Sequence, residues 1–129
     1  MRTDPEANQL FLDLLLDKND PERALRRMNE VGVLGAFLPE FGRIVAMMQF
    51  NMYHHYTVDE HTIYAIGSLQ RLADGELIED LPIATSIMKA GVDMTVLSLA
   101  LFLHDIGKGQ PRPHEEVGAE IAAKICPRL

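Results

Sequence analysis

The sequence predicts an all-α fold, a helical bundle, and three observations support that prediction. Apolar residues recur at spacings of three and four, whereas the strict alternation typical of half-buried strands is hard to find. Asp-Pro-Glu occurs at 4–6 and again at 20–22, and each copy places a capping Asp before a Pro and an acid in a first helical turn. Hydrophobic residues make up 47% of the 129, which suits a single core.

The first two helices begin at the two Asp-Pro-Glu signals. The first is expected to run to about Asp17 and the second to end at Gly32. Glycine and proline then divide the segment 33–43 into short turns, with one helical turn at 34–38, before an apolar pattern resumes at 44–52. The residues predicted to face the core are Leu10, Phe11, Leu14 and Leu15 in the first helix and Leu25, Met28 and Val31 in the second.

Two further helices follow in the middle of the chain. Thr57 and Glu60 have the spacing of a capping box, which predicts a helix from there to about Gly75. Pro82 opens a shorter helix that Gly91 closes. The longer of the two carries four residues on its predicted inner face: His61, Ala65, Leu69 and Leu72.

The last two helices enclose a glycine-flanked turn. Asp93 is predicted to cap a helix from Met94 to about Asp105, and because this helix is apolar nearly all round it is expected to be central. The final helix is expected to start near His114 and to pack through Val117, Ile121 and Ile125.

Charge and composition exclude several classes of protein. Twelve Lys and Arg against nineteen Asp and Glu give a net charge of −7, which disfavours binding to nucleic acid or to anionic membranes. The single cysteine, Cys126, cannot form an internal disulfide, and the N-terminus lacks the pattern of a signal peptide. These features predict a cytoplasmic location and no membrane association.

His104 and Asp105 end the most apolar helix of the chain. An imidazole and a carboxylate at the mouth of an apolar core cost several kcal/mol in desolvation unless something compensates the carboxylate. A divalent cation does so, and this pair of ligand types suits Mn, Fe, Zn, Co or Mg. His61, in the first turn of a separate helix, is a candidate third ligand.

A purely structural role is the alternative at each of these positions. His104 could bind carbonyl groups at its helix end while Asp105 pairs with Lys108. His61 could be a partly buried core histidine. Lys108 could be an exposed lysine, and His114 a surface residue near a helix cap.

Four stretches in order resemble a known family. They are 27–34 (RMNEVGVL), 39–45 (PEFGRIV), 53–62 (YHHYTVDEHT) and 101–109 (LFLHDIGKG). The pattern of His61 followed by His104-Asp105 resembles the HD superfamily of metal-dependent phosphohydrolases. More narrowly, the four stretches resemble the HD domain of the bacterial bifunctional PII uridylyltransferases/uridylyl-removing enzymes.

This resemblance implies a function, a cofactor and partners. Residues 1–129 would form the N-terminal part of an HD domain, within a larger enzyme that hydrolyses the bond between UMP and a tyrosine of the nitrogen-signalling PII protein. Uridylylated PII would be the partner, and glutamine would be sensed by domains outside this chain. The cofactor would be a divalent metal ion, with Mn, Mg, Fe and Zn all possible.

The resemblance also implies roles for individual residues. His61, His104 and Asp105 would be metal ligands, and Asp105 would bridge two ions if the site is dinuclear. His114 would hold the second ion, and Lys108 would act in catalysis and bind a phosphate. His54 would contact the substrate or donate a hydrogen bond to a metal-ligating side chain, whereas the neighbouring His55 does not match the family.

One departure from the family pattern stands out. The HD pattern ends with a further Asp well downstream, and this sequence has no Asp after Asp105. The sequence therefore suggests a fragment truncated at its C-terminus, with weakened metal binding and low activity. Apolar faces left uncovered by missing helices would be hidden in a homodimer.

Two alternative functions stay open on the sequence. The first is an HD-type hydrolase of nucleotides or cyclic dinucleotides, because His-Asp-Ile-Gly-Lys (104–108) is shared widely in the superfamily. The second is a catalytically inactive interaction module in which the His-Asp pair is only structural.

Overall fold

The fold is known from a computed structural model that describes residues 4–17, 19–47, 57–109 and 111–129. Within these ranges the chain forms eight α-helices and no strand, which confirms the all-α prediction. The helices are α1 (Pro5–Leu15), α2 (Pro21–Glu30), α3 (Val33–Phe37), α4 (Pro39–Gly42), α5 (Val58–Ala73), α6 (Pro82–Ala90), α7 (Met94–Leu103) and α8 (His114–Ile125), followed by a 3-10 turn at Cys126–Arg128.

The predicted aspartate caps are confirmed. The side chain of Asp4 accepts a hydrogen bond from the backbone N–H of Glu6, and Asp20 accepts one from Arg23. Asp93 accepts from two backbone N–H groups at the start of α7. These side chains satisfy N–H groups that have no partner within the helix, which fixes where α1, α2 and α7 begin.

The predicted capping box at the start of α5 does not form. Thr57 occupies the N-cap position, but its hydroxyl donates to the side chain of Asp59 instead of accepting from a backbone N–H. The side chain of Glu60 accepts a hydrogen bond from Arg26 of α2. A local side chain, that of Asp59, and a tertiary partner, Arg26, therefore replace the two capping bonds at this helix start.

The core is one cluster that draws on both ends of the chain. Phe102 of α7 lies at its centre, with its ring 5.5 Å from that of Phe11 and stacked 5.1 Å from that of Phe41. Two residues predicted to face this core are exposed instead, Leu10 by 60% and Val31 by 74%. Leu10 points outward because α1 buries the stripe Asn8, Phe11 and Leu15, and Val31 lies outside because α2 has already ended.

The predicted inner face of α5 is also displaced. Of its four predicted residues only Leu69 is buried, whereas His61, Ala65 and Leu72 are half-buried. The core stripe of α5 consists mainly of Val58, Thr62, Ile63 and Ile66. His61 therefore lies at the edge of the core, where its imidazole can reach both protein and solvent.

Helix α7 is not buried all round, contrary to the prediction. Val96 is 63% exposed and Ala100 is also exposed, because one side of α7 faces an open groove beside α8. The opposite side is buried at Ser98 and Phe102, and α7 packs against α5. The groove is apolar, and its occupation by a second copy of the chain stays a prediction. No helix in the described ranges is long and apolar enough to cross a membrane.

Candidate metal centre

The packing of α5 against α7 brings three predicted ligands together. His61 lies in the first turn of α5, His104 is the residue that ends α7, and Asp105 follows it. One ligand atom from each side chain lies within 4.8 Å of the other two. His61 precedes His104 by 43 positions in the sequence, so only the tertiary fold brings it to the His104-Asp105 pair.

Both histidines of the cluster face the same oxygen of Asp105. The Nε2 atom of His104 lies 2.9 Å from Oδ2 of Asp105, and Nε2 of His61 lies 4.0 Å from the same atom. The two imidazole rings are tilted with their centroids 5.9 Å apart. The side chain of Asp105 is only 7% exposed, whereas the histidines are 30% and 38% exposed, so the cluster opens to solvent on the histidine side.

A backbone carbonyl fixes the orientation of His104. Its Nδ1 lies within hydrogen-bond distance of the carbonyl oxygen of Leu101. Since a carbonyl can only accept, Nδ1 carries the proton and Nε2 is the atom available to a cation. This is the arrangement by which ligating histidines are usually held in metal sites.

The other oxygen of Asp105 faces two further predicted site residues. The Nζ atom of Lys108 lies 3.5 Å from Oδ1, and Nε2 of His114 lies 3.9 Å from it. His114 is the first residue of α8 and also lies 3.2 Å from a carboxylate oxygen of Glu115. Asp105 thus has His61 and His104 on one side and Lys108 and His114 on the other.

The ionisation of Asp105 reflects these neighbours. Burial by itself would raise the pKa of Asp105, but the hydrogen bond and charge of His104, together with Lys108, lower that pKa to about 2. The hydrogen bond to Asp105 in turn raises the pKa of His104 above 6.5, against a smaller lowering by burial. The metal-free cluster therefore favours an ionised carboxylate beside a protonated imidazole.

We expect the stability of the metal-free chain to show the pH dependence of this pair. The Asp105 contribution is present above its unfolded pKa near 3.8 and is lost as the pH falls towards 2. The His104 contribution is present below 6.5 and is lost as the pH rises through the raised pKa. In the presence of a chelator, the Tm difference between the chain and its His104→Gln variant should be largest between pH 3.8 and pH 6.5. A difference that does not change with pH would contradict this account.

The donor set fits a divalent cation. Two imidazole nitrogens and one carboxylate oxygen form a ligand set found in catalytic zinc and non-haem iron sites, and three protein ligands leave coordination positions for water and substrate. A cation would replace the proton that His104 and Asp105 share. The contacts predicted for a purely structural role are also present, since His104 binds a helix carbonyl and Asp105 pairs with Lys108. Those contacts orient the two ligands and are compatible with a bound cation.

Two of the histidines considered on the sequence lie outside the described residues. They are His54, the predicted substrate contact, and His55. The roles assigned to the clustered residues also stay predictions, because the geometry brings the side chains together without identifying an ion or a reaction.

Sequence reasoning missed Asn29 and Asp59. Asp59 is 3% exposed, and its Oδ2 accepts a hydrogen bond of 2.8 Å from Nδ2 of Asn29 on α2. A signal was present, because Asn29 follows the buried Leu25 by four residues and so shares its helix face. A polar residue on an inward face indicates a tertiary partner.

Two family models match the chain. The HD domain model matches residues 58–129, and the model of the "Uridylyltransferase GlnD third domain" matches residues 1–37. All five clustered site residues fall within the first range, whereas α1 and α2 fall within the second. The described core nevertheless combines residues of both ranges, and the assignment of all 129 residues to one domain stays a prediction.

Curated relatives match along the whole chain. The bifunctional uridylyltransferase/uridylyl-removing enzymes of Ruegeria pomeroyi, Cereibacter sphaeroides and Azospirillum brasilense are 65%, 61% and 52% identical over all 129 residues. The chain spans 14% of the length of each of these proteins. No solved structure matches the chain.

Proposed function

The chain belongs to the HD domain family, and on that premise we propose that it forms the metal-dependent, uridylyl-removing hydrolase part of a bifunctional PII uridylyltransferase. The substrate is the phosphodiester that joins UMP to a tyrosine of PII. The observation that supports this proposal most strongly is the convergence of His61, His104 and Asp105 on one point at the protein surface.

The proposed reaction is hydrolysis without a covalent intermediate. A water oxygen forms a bond to phosphorus, the bond from phosphorus to the tyrosine oxygen breaks, and the products are UMP and the protonated tyrosine hydroxyl. His61, His104 and Asp105 would hold a divalent ion, which would act as a Lewis acid and lower the pKa of a water molecule. The ion is Mn, Mg, Fe or Zn.

The protein side chains have separate roles in this proposal. Asp105 lies at the centre of the site. Its Oδ2 atom faces His104, and its Oδ1 atom faces His114. His114 would hold a second ion on the Oδ1 side. Lys108, with its ammonium group on the same side, would bind a phosphate oxygen of the substrate as a point charge. His54 would contact the substrate.

The proposal extends to location and partners. We place the reaction in the cytoplasm, with uridylylated PII as the protein substrate. Glutamine sensing belongs to parts of the enzyme outside these 129 residues. A homodimer of the chain would cover the apolar groove between α7 and α8.

A chimera tests the proposed reaction. The 129 residues replace the corresponding segment of the Ruegeria pomeroyi enzyme, with which they are 65% identical. We expect the chimera to release UMP from uridylylated PII in the presence of Mn²⁺. His61→Ala should slow release at least about tenfold because a ligand is lost, while Ala65→Gly, one turn further along α5, should not.

Other outcomes would contradict the proposal. Release of UMP at an undiminished rate by the His61→Ala chimera would exclude His61 from the site. Hydrolysis of free nucleotides or cyclic dinucleotides, without action on uridylylated PII, would favour the broader phosphohydrolase function. A chimera that neither binds Mn²⁺ nor releases UMP would indicate an interaction module.

A further inference from the structure

A buried carboxyl group connects α2 to the first turn of α5. Asp59 lies two residues before His61 and is almost fully buried. Its Oδ2 accepts a hydrogen bond from Asn29 of α2, and its Oδ1 accepts one from the hydroxyl of Thr57. The backbone N–H of His61 donates to the carbonyl of Thr57 at 2.9 Å. Asp59 therefore connects Asn29 to the residue that closes the helical turn of His61.

A second, weaker contact runs parallel to the first. The Nε atom of Arg26 donates to a carboxylate oxygen of Glu60 at 3.1 Å, and Arg26 also pairs with Glu22 of its own helix. The side chains of Arg26 and Glu60 are 33% and 35% exposed, so this ion pair is screened by solvent. The better shielded contact between Asn29 and Asp59 is the one expected to fix the position of the turn.

Asn29 supplies a directional bond at a cost. Its Oδ1 atom is buried and accepts no hydrogen bond from the part of the chain that the structure describes. An unsatisfied buried oxygen destabilises a fold, and an apolar side chain would pack between the helices without that penalty. What the asparagine adds is a donor aimed at Asp59.

We infer that Asn29 is a positioning residue for the metal ligand His61, acting through Asp59. This inference rests on the proposed metal centre. Metal binding requires ligand distances within about 0.2 Å, so a first turn that shifts by a few tenths of an ångström weakens it. Asn29 lies in the range matched by the third-domain model and His61 in the range matched by the HD model. One family segment thereby sets the ligand geometry of the other.

Titration of the 129-residue chain with Mn²⁺ tests the inference. We expect Asn29→Ala to raise the Kd for Mn²⁺ about tenfold, at the low end of the loss seen when groups behind metal ligands are removed. The matched control is Asn8→Ala, which removes a buried asparagine on α1 and should leave the Kd unchanged. Circular dichroism and the Tm of the metal-free variants show whether each one folds.

An exchange of the two side chains separates positioning from general stability. Asn29→Asp alone places two carboxyl groups against each other and should weaken Mn²⁺ binding at least as much as Asn29→Ala. Adding Asp59→Asn restores a donor facing an acceptor and keeps an oxygen for Thr57, so the double variant should bind within about threefold of the original chain.

The results distinguish failure of this inference from failure of the proposed function. Asn29→Ala or Asn29→Asp with a lowered Tm but an unchanged Kd would show a merely structural role and overturn the inference. A double variant that binds as weakly as Asn29→Asp would also overturn it. If the unaltered chain binds no Mn²⁺, the metal centre itself is wrong, and the inference falls with it.

Discussion

Asp105→Asn should weaken the binding of Mn²⁺ at least about a hundredfold and reduce UMP release by the chimera to background. The substitution keeps the size of the side chain but replaces the carboxylate, and an amide is a much poorer ligand for a divalent cation. Four basic side chains approach the carboxylate of Asp105 at 2.9 to 4.0 Å: His61, His104, Lys108 and His114. The loss of this carboxylate therefore affects both sides of the site, whereas the loss of His61 or His114 affects one.

The matched control lies at the other end of the same helix. Asp93→Asn makes the identical chemical change at the N-cap of α7, where asparagine caps about as well as aspartate. This variant should keep both Mn²⁺ affinity and UMP release. Calorimetric titration of the chain and the release assay on the chimera measure the two effects. Mn²⁺ affinity in Asp105→Asn equal to that of Asp93→Asn would show that Asp105 is not a ligand.

The boundaries of the helices could be predicted where the deciding bonds are local. Asp4, Asp20 and Asp93 cap their helices through N–H groups two or three residues away, so the sequence alone contains both partners. The capping box at Thr57 did not form because both of its side chains bind other groups: Thr57 binds the nearby Asp59, and Glu60 binds a distant residue. Glu60 has the right spacing to Thr57, but Arg26, 34 residues earlier, takes its carboxylate.

Burial was predicted less well because it depends on which helix covers which face. Leu10 and Val96 are as apolar as residues of the core, and nothing in the chain near them indicates that their sides stay open. Asn8, conversely, is polar and yet lies on the buried stripe of α1. A hydrophobic pattern counts residue types, whereas burial is decided by tertiary contacts.

The site residues were predicted partly from their own chemistry and partly from the family resemblance. The reasoning that a charged pair at the end of an apolar helix needs compensation singled out His104 and Asp105 from the residues alone. His61 and His114 were weak candidates by themselves and became strong ones only through the family resemblance. Neither argument singled out Asn29, because its importance comes from a contact across 30 positions of sequence, and only its place on the inner face of α2 indicated a tertiary partner.

Gly107→Ala should destabilise the fold by about 3 kcal/mol, at the upper end of the usual cost of overpacking. Gly107 is buried in the turn after Asp105, and an added Cβ would lie 2.5 Å from the carbonyl oxygen of His114 and 2.6 Å from the backbone nitrogen of Gly118. Both of these are backbone atoms, so the side chain cannot be accommodated by a rotamer change. Helix α8, which begins at His114, must move away from the site.

The facing glycine provides the control. A Cβ on Gly118 would meet nothing closer than 3.7 Å, which is ordinary van der Waals contact, and alanine is favoured over glycine within a helix. Gly118→Ala should therefore leave the free energy of unfolding unchanged or raise it by up to about 1 kcal/mol, as measured by urea denaturation. Gly107→Ala is thus expected to lower the free energy of unfolding, whereas Gly118→Ala is expected to keep or raise it. Equal stability of the two variants would show that α8 does not pack this closely against the turn that carries Asp105.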